Sequence, residues 1–251
     1  MNLAKTLFTL VTLTALGAFA NADLTSLVKQ GDEADAKLDN AHALELYLQA
    51  EKQGANDAET LYRIARQYAL TMDAAPTQDA QRLLGEKALS YAKRAIAADP
   101  ANAKAQLSAA ICYGRLVSHS PTRTKVEYSR LIKQYADVAL KLDPTDSYAW
   151  HVLGAWNYEM AQMGTMTRAI VKIVYGAIPS ASNSEAVRMF TRAVELAPQR
   201  VSHHVELGRS LAALGKKDQA RAELQKALAL PNQEKDDPES KRRATQALSE
   251  L

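Results

Sequence analysis

Small apolar residues return along this chain at a helical period. The motif Ala/Ile-x3-(aromatic, Ala or Leu)-x2-Ala begins at Ala43, Ala88, Ile132, Ala186 and Ala220, and stops follow near Ala55, Pro100, Pro144, Pro198 and Pro231. Residues three or seven apart lie on one helix face, and alanines there let a neighbouring helix approach closely. The larger member of the motif, Tyr47, Phe190 or Leu224, fills the space left between them. Copies two and three carry Ala92 and Ala136 at that place, with Tyr91 and Tyr135 one residue earlier. Each proline lacks the amide hydrogen of a further turn and disfavours helix at the residue before it.

A second helical pattern precedes each copy. Trp150-x2-Leu153-Gly154 is its clearest form, and His204-x2-Leu207-Gly208-x2-Leu211 repeats the frame. Leu61-x3-Ala65-x2-Tyr68, Gln106-x3-Ala110-x2-Tyr113 and Leu27-x3-Gly31 are weaker versions. Together the two patterns resemble the tetratricopeptide repeat, a pair of antiparallel helices. The expected fold is therefore all-α: a solenoid of tetratricopeptide-like hairpins over residues 23–251, with units at 24–57, 58–102, 103–146, 147–200 and 201–234. Residues 238–251 keep Ala244, Ala247, Leu248 and Leu251 on one face and charges on the other, the pattern of a capping helix.

The inner three units exceed the standard repeat length, with the surplus between their two helices. Around Thr71–Leu84 and Val117–Arg130 the extra residues are expected to lengthen the second helix at its start. The third insertion, Met163–Pro179, is expected to form a helix of its own. Its Met166, Ile170, Val171, Ile173, Val174 and Tyr175 cover more than half a circumference, so it must bury much of its surface on neighbouring repeats, on a partner protein or on a membrane surface.

From Trp150 to Ala161, followed by the 168–175 stretch, Gly176, Pro179, Ala181 and Ala186-x3-Phe190, the chain resembles the regulator of microtubule dynamics protein family. The resemblance implies a non-enzymatic helical scaffold, linked in eukaryotic members to microtubules or organelle contacts. It points here to an exported, bacterial-type member, because of the N-terminus. Lys5 precedes an uncharged, largely apolar run at 6–20, with small-residue cleavage sites at Ala20 and Ala22. Residues 1–22 are thus expected to be a signal peptide, directing the chain to the periplasm or outside the cell. The run is shorter than the roughly 20 apolar residues of a membrane span. An uncleaved anchor at 6–20 is the alternative, and it would make the protein a membrane-tethered scaffold.

Composition narrows the remaining choices. The formal net charge is only +3, and charges alternate in sign along the helices, so no basic stripe for nucleic acid is present. Lys241-Arg242-Arg243 is expected to be a solvated helix face. Cys112 is the only cysteine, so no internal disulfide can form, and it suits a buried spacer in the first helix of the third unit. No metalloprotease, nucleophile-elbow or phosphate-loop motif occurs, and no cofactor is expected. His203-His204-Val205-Glu206, with His151 one unit earlier, is the one cluster that could attract a metal. Adjacent histidines on a helix diverge by about 100 degrees, which favours a structural role over a metal-binding enzyme using His151, His203 and His204.

A binding scaffold uses other residues. In the first helix of each unit, Val28 and Asp32, Tyr62 and Arg66, Leu107 and Ile111, His151 and Ala155, and Val205 and Arg209 are expected to face the concave groove, flanked by Lys104, Arg115, Tyr148 and Tyr158. Leu107 and Ile111 suit packing better than binding. Aromatics and arginines dominate binding hot spots, so Tyr62, Arg66, Arg115, Tyr148, His151, Tyr158 and Arg209 are the candidates for holding a protein or peptide. The lysine and asparagines of a carboxylate clamp are missing; Val28, Asp32 and Tyr62 stand in their places.

Overall fold

The computed structural model describes residues 24–251, so the leader with its cleavage sites at Ala20 and Ala22 lies outside the described residues. Among the described residues the regular structure is helical: α1 (24–36), α2 (Asn40–Lys52), α3 (Ala58–Thr71), α4 (Gln78–Ala98), α5 (Ala103–Val117) and α6 (Thr122–Leu142). There follow α7 (Ser147–Ala161), α8 (Thr165–Tyr175), α9 (Asn183–Leu196), α10 (Val201–Ala213), α11 (Lys217–Ala229) and α12 (Asp237–Ser249), with a 3-10 turn at Met72–Ala74. α4 and α6 run for 21 residues each against 13 for α2, which is where the first two insertions go.

The prolines end helices as their chemistry requires. α4, α6, α9 and α11 each stop two residues before Pro100, Pro144, Pro198 and Pro231, and the preceding Asp99, Asp143, Ala197 and Leu230 all have non-helical ψ angles. Side-chain caps start several of the helices: Asp57 accepts from the Thr60 amide at 2.9 Å, Asn102 from Ala105 at 2.9 Å and Ser182 from Glu185 at 3.1 Å.

Antiparallel pairs α3/α4, α5/α6, α7/α9 and α10/α11 form hairpins, and each first helix also packs on the second helix of the unit before. α1 pairs with α2 through Val28, Ala34 and Tyr47. The seam of each hairpin is set by size matching. Gly31, Gly154 and Gly208 sit where an added Cβ would come within 3.0 Å of the Tyr47, Phe190 and Leu224 side chains. In units two and three the same places hold two alanines facing each other's clusters, Ala65 with Ala92 and Ala110 with Ala136, all fully buried. A large residue opposite glycine and alanine opposite alanine are two ways of filling the same seam.

First helices also touch across units, α3 with α5, α5 with α7 and α7 with α10, whereas the second helices of successive units make no comparable contact. Closer approach on one layer bends a solenoid toward that layer. The first helices therefore form the inner, concave side. α12 closes the far end, burying Ala244 and packing Ala247, Leu248 and Leu251 against Val201, Val205, Leu224 and Ala227.

The third insertion lies on the other layer. α8 packs on α6, with Val171 buried among Val126, Trp156 and Met160, and the Trp156 indole donates to Ser129 at 3.0 Å beside the Tyr175 hydroxyl. Its opposite side exposes Met166 and Ile173. It ends at Gly176, whose φ of 78° is the left-handed stop that glycine alone adopts without strain. Cys112 is buried in the α3–α6 core, and burial pushes its thiol up to about 12. Iodoacetamide should therefore alkylate it at least a hundredfold more slowly in the native protein than in urea; equal rates would mean that the α5 seam opens readily.

Candidate functional site: the inner helix row

Along the inner row the sequence-predicted residues fall into two groups. Tyr62 and Arg66 lie on the half formed by α1, α3 and α5, which faces solvent. Arg63 and Lys104 place cationic groups 5.3 and 5.6 Å from the Tyr62 ring centre, and Arg66 pairs with Asp35 of α1. Leu107 is buried and Ile111 packs beside it, as their apolar character suggests. Tyr158 and Arg209 meet near the other end, with the guanidinium 5.1 Å from the ring centre and 2.7 Å from Glu206. Val205, expected on the groove surface, is instead fully buried beneath the cap, because α12 lies over α10 as well as α11. An open depression of about 770 Å³ lies to one side, between α1 and the start of α3, and includes Val28, Asp32 and Arg63.

Arg115, Tyr148 and His151 meet the chain itself. After α11 the backbone turns back across the inner row before α12 begins. The Asp237 carboxylate, almost wholly buried, accepts from the Gln233 and Glu234 amides at 2.7 and 2.8 Å and fixes this turn. Its side chains then reach four inner elements. Asp236 pairs with Arg115 of α5, and Glu234 accepts a 2.5 Å hydrogen bond from the Tyr148 hydroxyl of α7. Glu234 also pairs with Arg200, just before α10, while the Lys235 ammonium donates to the Leu70 carbonyl at the end of α3 at 2.8 Å. The Arg200 guanidinium stacks 4.2 Å from the centre of the Tyr148 ring. Burial and the Glu234 carboxylate hold the Tyr148 phenol well above its ordinary value, so it stays a hydrogen-bond donor.

Behind Tyr148 lie the histidines. His151 and His203 bring their Nδ1 atoms to 3.0 Å, so one ring donates and the other, unprotonated at that nitrogen, accepts. Burial depresses the basicity of both; the Arg200 charge adds to this at each ring, and the nearby His151 ring adds to it at His203. His204 points elsewhere, with Nδ1 2.6 Å from Glu223 and Nε2 2.9 Å from the Pro198 carbonyl. The described residues contain no group of three or more histidine, cysteine, aspartate or glutamate side chains suited to one metal ion. Of the basic run, Arg242 alone keeps to solvent, paired with Glu239; Lys241 donates to the Leu230 carbonyl and Arg243 reaches back to the mostly buried Glu206 at 2.6 Å. Those two turn inward because their helix lies on the last repeat.

Sequence reasoning passed over Arg200, Glu234, Lys235 and Asp236. They sit in polar connectors without periodicity, and their only signal was an acidic stretch shortly before the cap.

Residues 27–251 match the regulator of microtubule dynamics protein 1-3 family. The chain belongs to that family. Regulator of microtubule dynamics protein 1 of Mus musculus is 29% identical over 234 residues, spanning 92% of this chain and 76% of that protein. Protein 3 of Xenopus laevis is 26% identical, spanning 87% of this chain and 48% of its own length. Among solved structures, a thermophilic tetratricopeptide-repeat protein of Thermus thermophilus superposes with a TM-score of 0.63 at 19% identity, covering 90% of this chain and 99% of its own. PilF of Pseudomonas aeruginosa gives 0.54 at 14% identity, covering 91% and 90%. These two likenesses establish the tetratricopeptide fold of this family member.

Proposed function

We propose that the protein is a non-catalytic scaffold that docks a partner protein or peptide on its inner helix row. The observation that carries this reading is the row itself. Tyr62, Arg63, Arg66 and Lys104 form an aromatic and charged strip on the side toward which the first helices close up, its cations paired with Asp32, Glu59 and Asp35. Solenoids of this kind use such concave faces for binding, and aromatic and arginine side chains supply most binding energy at interfaces.

The signal-peptide pattern at 1–22 supports an exported protein, periplasmic or secreted; retention of residues 6–20 would tether the same scaffold to a membrane. An exported chain would not meet a cytoplasmic filament, so the activity in its relatives' names is not carried over. No helix among the described residues is long and apolar enough to cross a membrane.

Photo-crosslinking in the producing cell tests the docking face. Benzoylphenylalanine at Tyr62 or Arg66 should give a discrete adduct, while the same group at Arg192, on the outer helix α9, should give none. Adducts from position 192 alone would overturn the reading. Fractionation of the same cells, with mass spectrometry of the N-terminus, places the protein and its cleavage point.

A further inference from the structure

The inner row already holds a short turn of the chain itself. Gln233 to Asp236 form a turn ahead of α12, and its Glu234, Lys235 and Asp236 side chains reach the first helices where a ligand's side chains would. Their contacts are of the kind used in peptide recognition. Two carboxylates two residues apart are each taken by an arginine, one of them also by a tyrosine hydroxyl, and a lysine is taken by the open carbonyl end of α3. Charge-assisted hydrogen bonds of this type are the strong ones. They are also directional, and they select an acid-x-acid spacing.

We propose that the inner face recognises an acidic peptide with two carboxylates spaced as Glu234 and Asp236 are, and that residues 233–237 occupy this site as a tethered stand-in. The inference rests on the docking function proposed above and supplies its chemistry. Arg115 would take one carboxylate; Arg200 and the Tyr148 hydroxyl would take the other. Tyr148 is held in place for this from behind by the His151 and His203 rings, whose centres lie 5.9 and 5.4 Å from its own. The stand-in competes intramolecularly, at an effective concentration of order millimolar for a short tether. A free peptide must exceed that competition, so the intact chain should bind weakly and a chain with the stand-in disabled should bind well.

The probe is a fluorescein-labelled peptide copying residues 231–237, followed by anisotropy against the full chain. Glu234→Gln with Asp236→Asn keeps the shape of the segment and removes its carboxylates. This variant should bind the peptide at least tenfold more tightly than the unaltered chain, and binding should weaken as salt rises. Adding Arg115→Ala or Arg200→Ala should return affinity to the unaltered level, and a peptide with glutamine and asparagine at the two acidic places should not bind.

Equal binding by variant and unaltered chain, or binding that survives loss of both arginines, would overturn the proposal. Should the double variant fail to fold by circular dichroism, hydrogen exchange on the unaltered chain decides: excess peptide should speed exchange of the Gln233 and Glu234 amides, and unchanged exchange counts against it. Crosslinks from Tyr62 with no peptide binding would remove the acidic specificity and leave the docking reading standing. Absence of both would remove the two together.

Discussion

Phe190→Ala is expected to lower unfolding free energy by about 3–5 kcal/mol, and the melting temperature by roughly ten degrees for a chain of this size. The ring is fully buried between α9 and α7 and has grown into the space left by a missing Cβ. An added Cβ at Gly154 would lie 2.9 to 3.0 Å from three ring atoms. Truncation opens a hole that two long, mutually braced helices cannot close by shifting. The seam itself supplies a control. Gly154→Ala alone should destabilise, because the ring would have to move. With Phe190→Ala already present, it should recover part of the loss, since the seam becomes the alanine-on-alanine arrangement of Ala65 with Ala92 and the glycine's helix penalty of about 1 kcal/mol is removed. A neutral Gly154→Ala, or a Phe190→Ala cost below about 1 kcal/mol, would show that size matching does not set the spacing. Chemical denaturation of the four proteins gives the cycle.

The second large effect is acid sensitivity above the range where surface carboxylates protonate. His203 is fully buried, His151 is half-buried against it and bonded to it, and both have basicity depressed below the ordinary value of 6.5, mainly by desolvation. Arg200 presses in the same direction at both rings, and Arg243 at His151; Glu206 opposes at His151. In the unfolded chain both take up protons near the ordinary value. Below that pH the unfolded ensemble binds more protons than the native state, so stability falls as pH falls. The linkage contributes about 1.4 kcal/mol per pH unit for each ring that stays neutral. Between pH 7 and pH 5 the loss should reach about 2–4 kcal/mol. Replacing both rings, as in His151→Gln with His203→Gln, should flatten the dependence whatever it does to stability at pH 7. Urea midpoints at half-unit intervals measure the slope; an unaltered slope in the double variant would assign the acid loss to other groups.

Such a loss would bear on docking too. His151 and His203 brace Tyr148, and Tyr148 with Arg200 holds Glu234. Protonating the pair places positive charge against the Tyr148 ring on which Arg200 stacks, and the site should loosen from that end.

What the sequence determined by itself is the hairpin and its repetition. The alanines from Ala43 to Ala227, the glycines matched to Tyr47, Phe190 and Leu224, and the prolines that stop four helices act between residues within one unit or the next. A helical period states which face is apolar, and a short connector leaves little choice of partner. The cap was legible for the same reason, since Ala244 to Leu251 keep that period and follow the last unit directly. α8 was legible as a helix but not in its placement: an apolar face says that something must cover it, and only the packing of Val171 on α6 and Trp156 says what.

The tertiary structure alone decided what lies on the inner face. Asp236 meets Arg115 from 121 residues away, Lys235 meets Leu70 from 165 and His203 meets His151 from 52. Those meetings depend on curvature summed over several units and on where a short aperiodic connector is thrown by the last hairpin. Single polar side chains carry no period, so nothing in the local pattern announces them. The row of first helices could be written down from the sequence, but that the chain's own carboxylates occupy part of it follows only from the closed three-dimensional path.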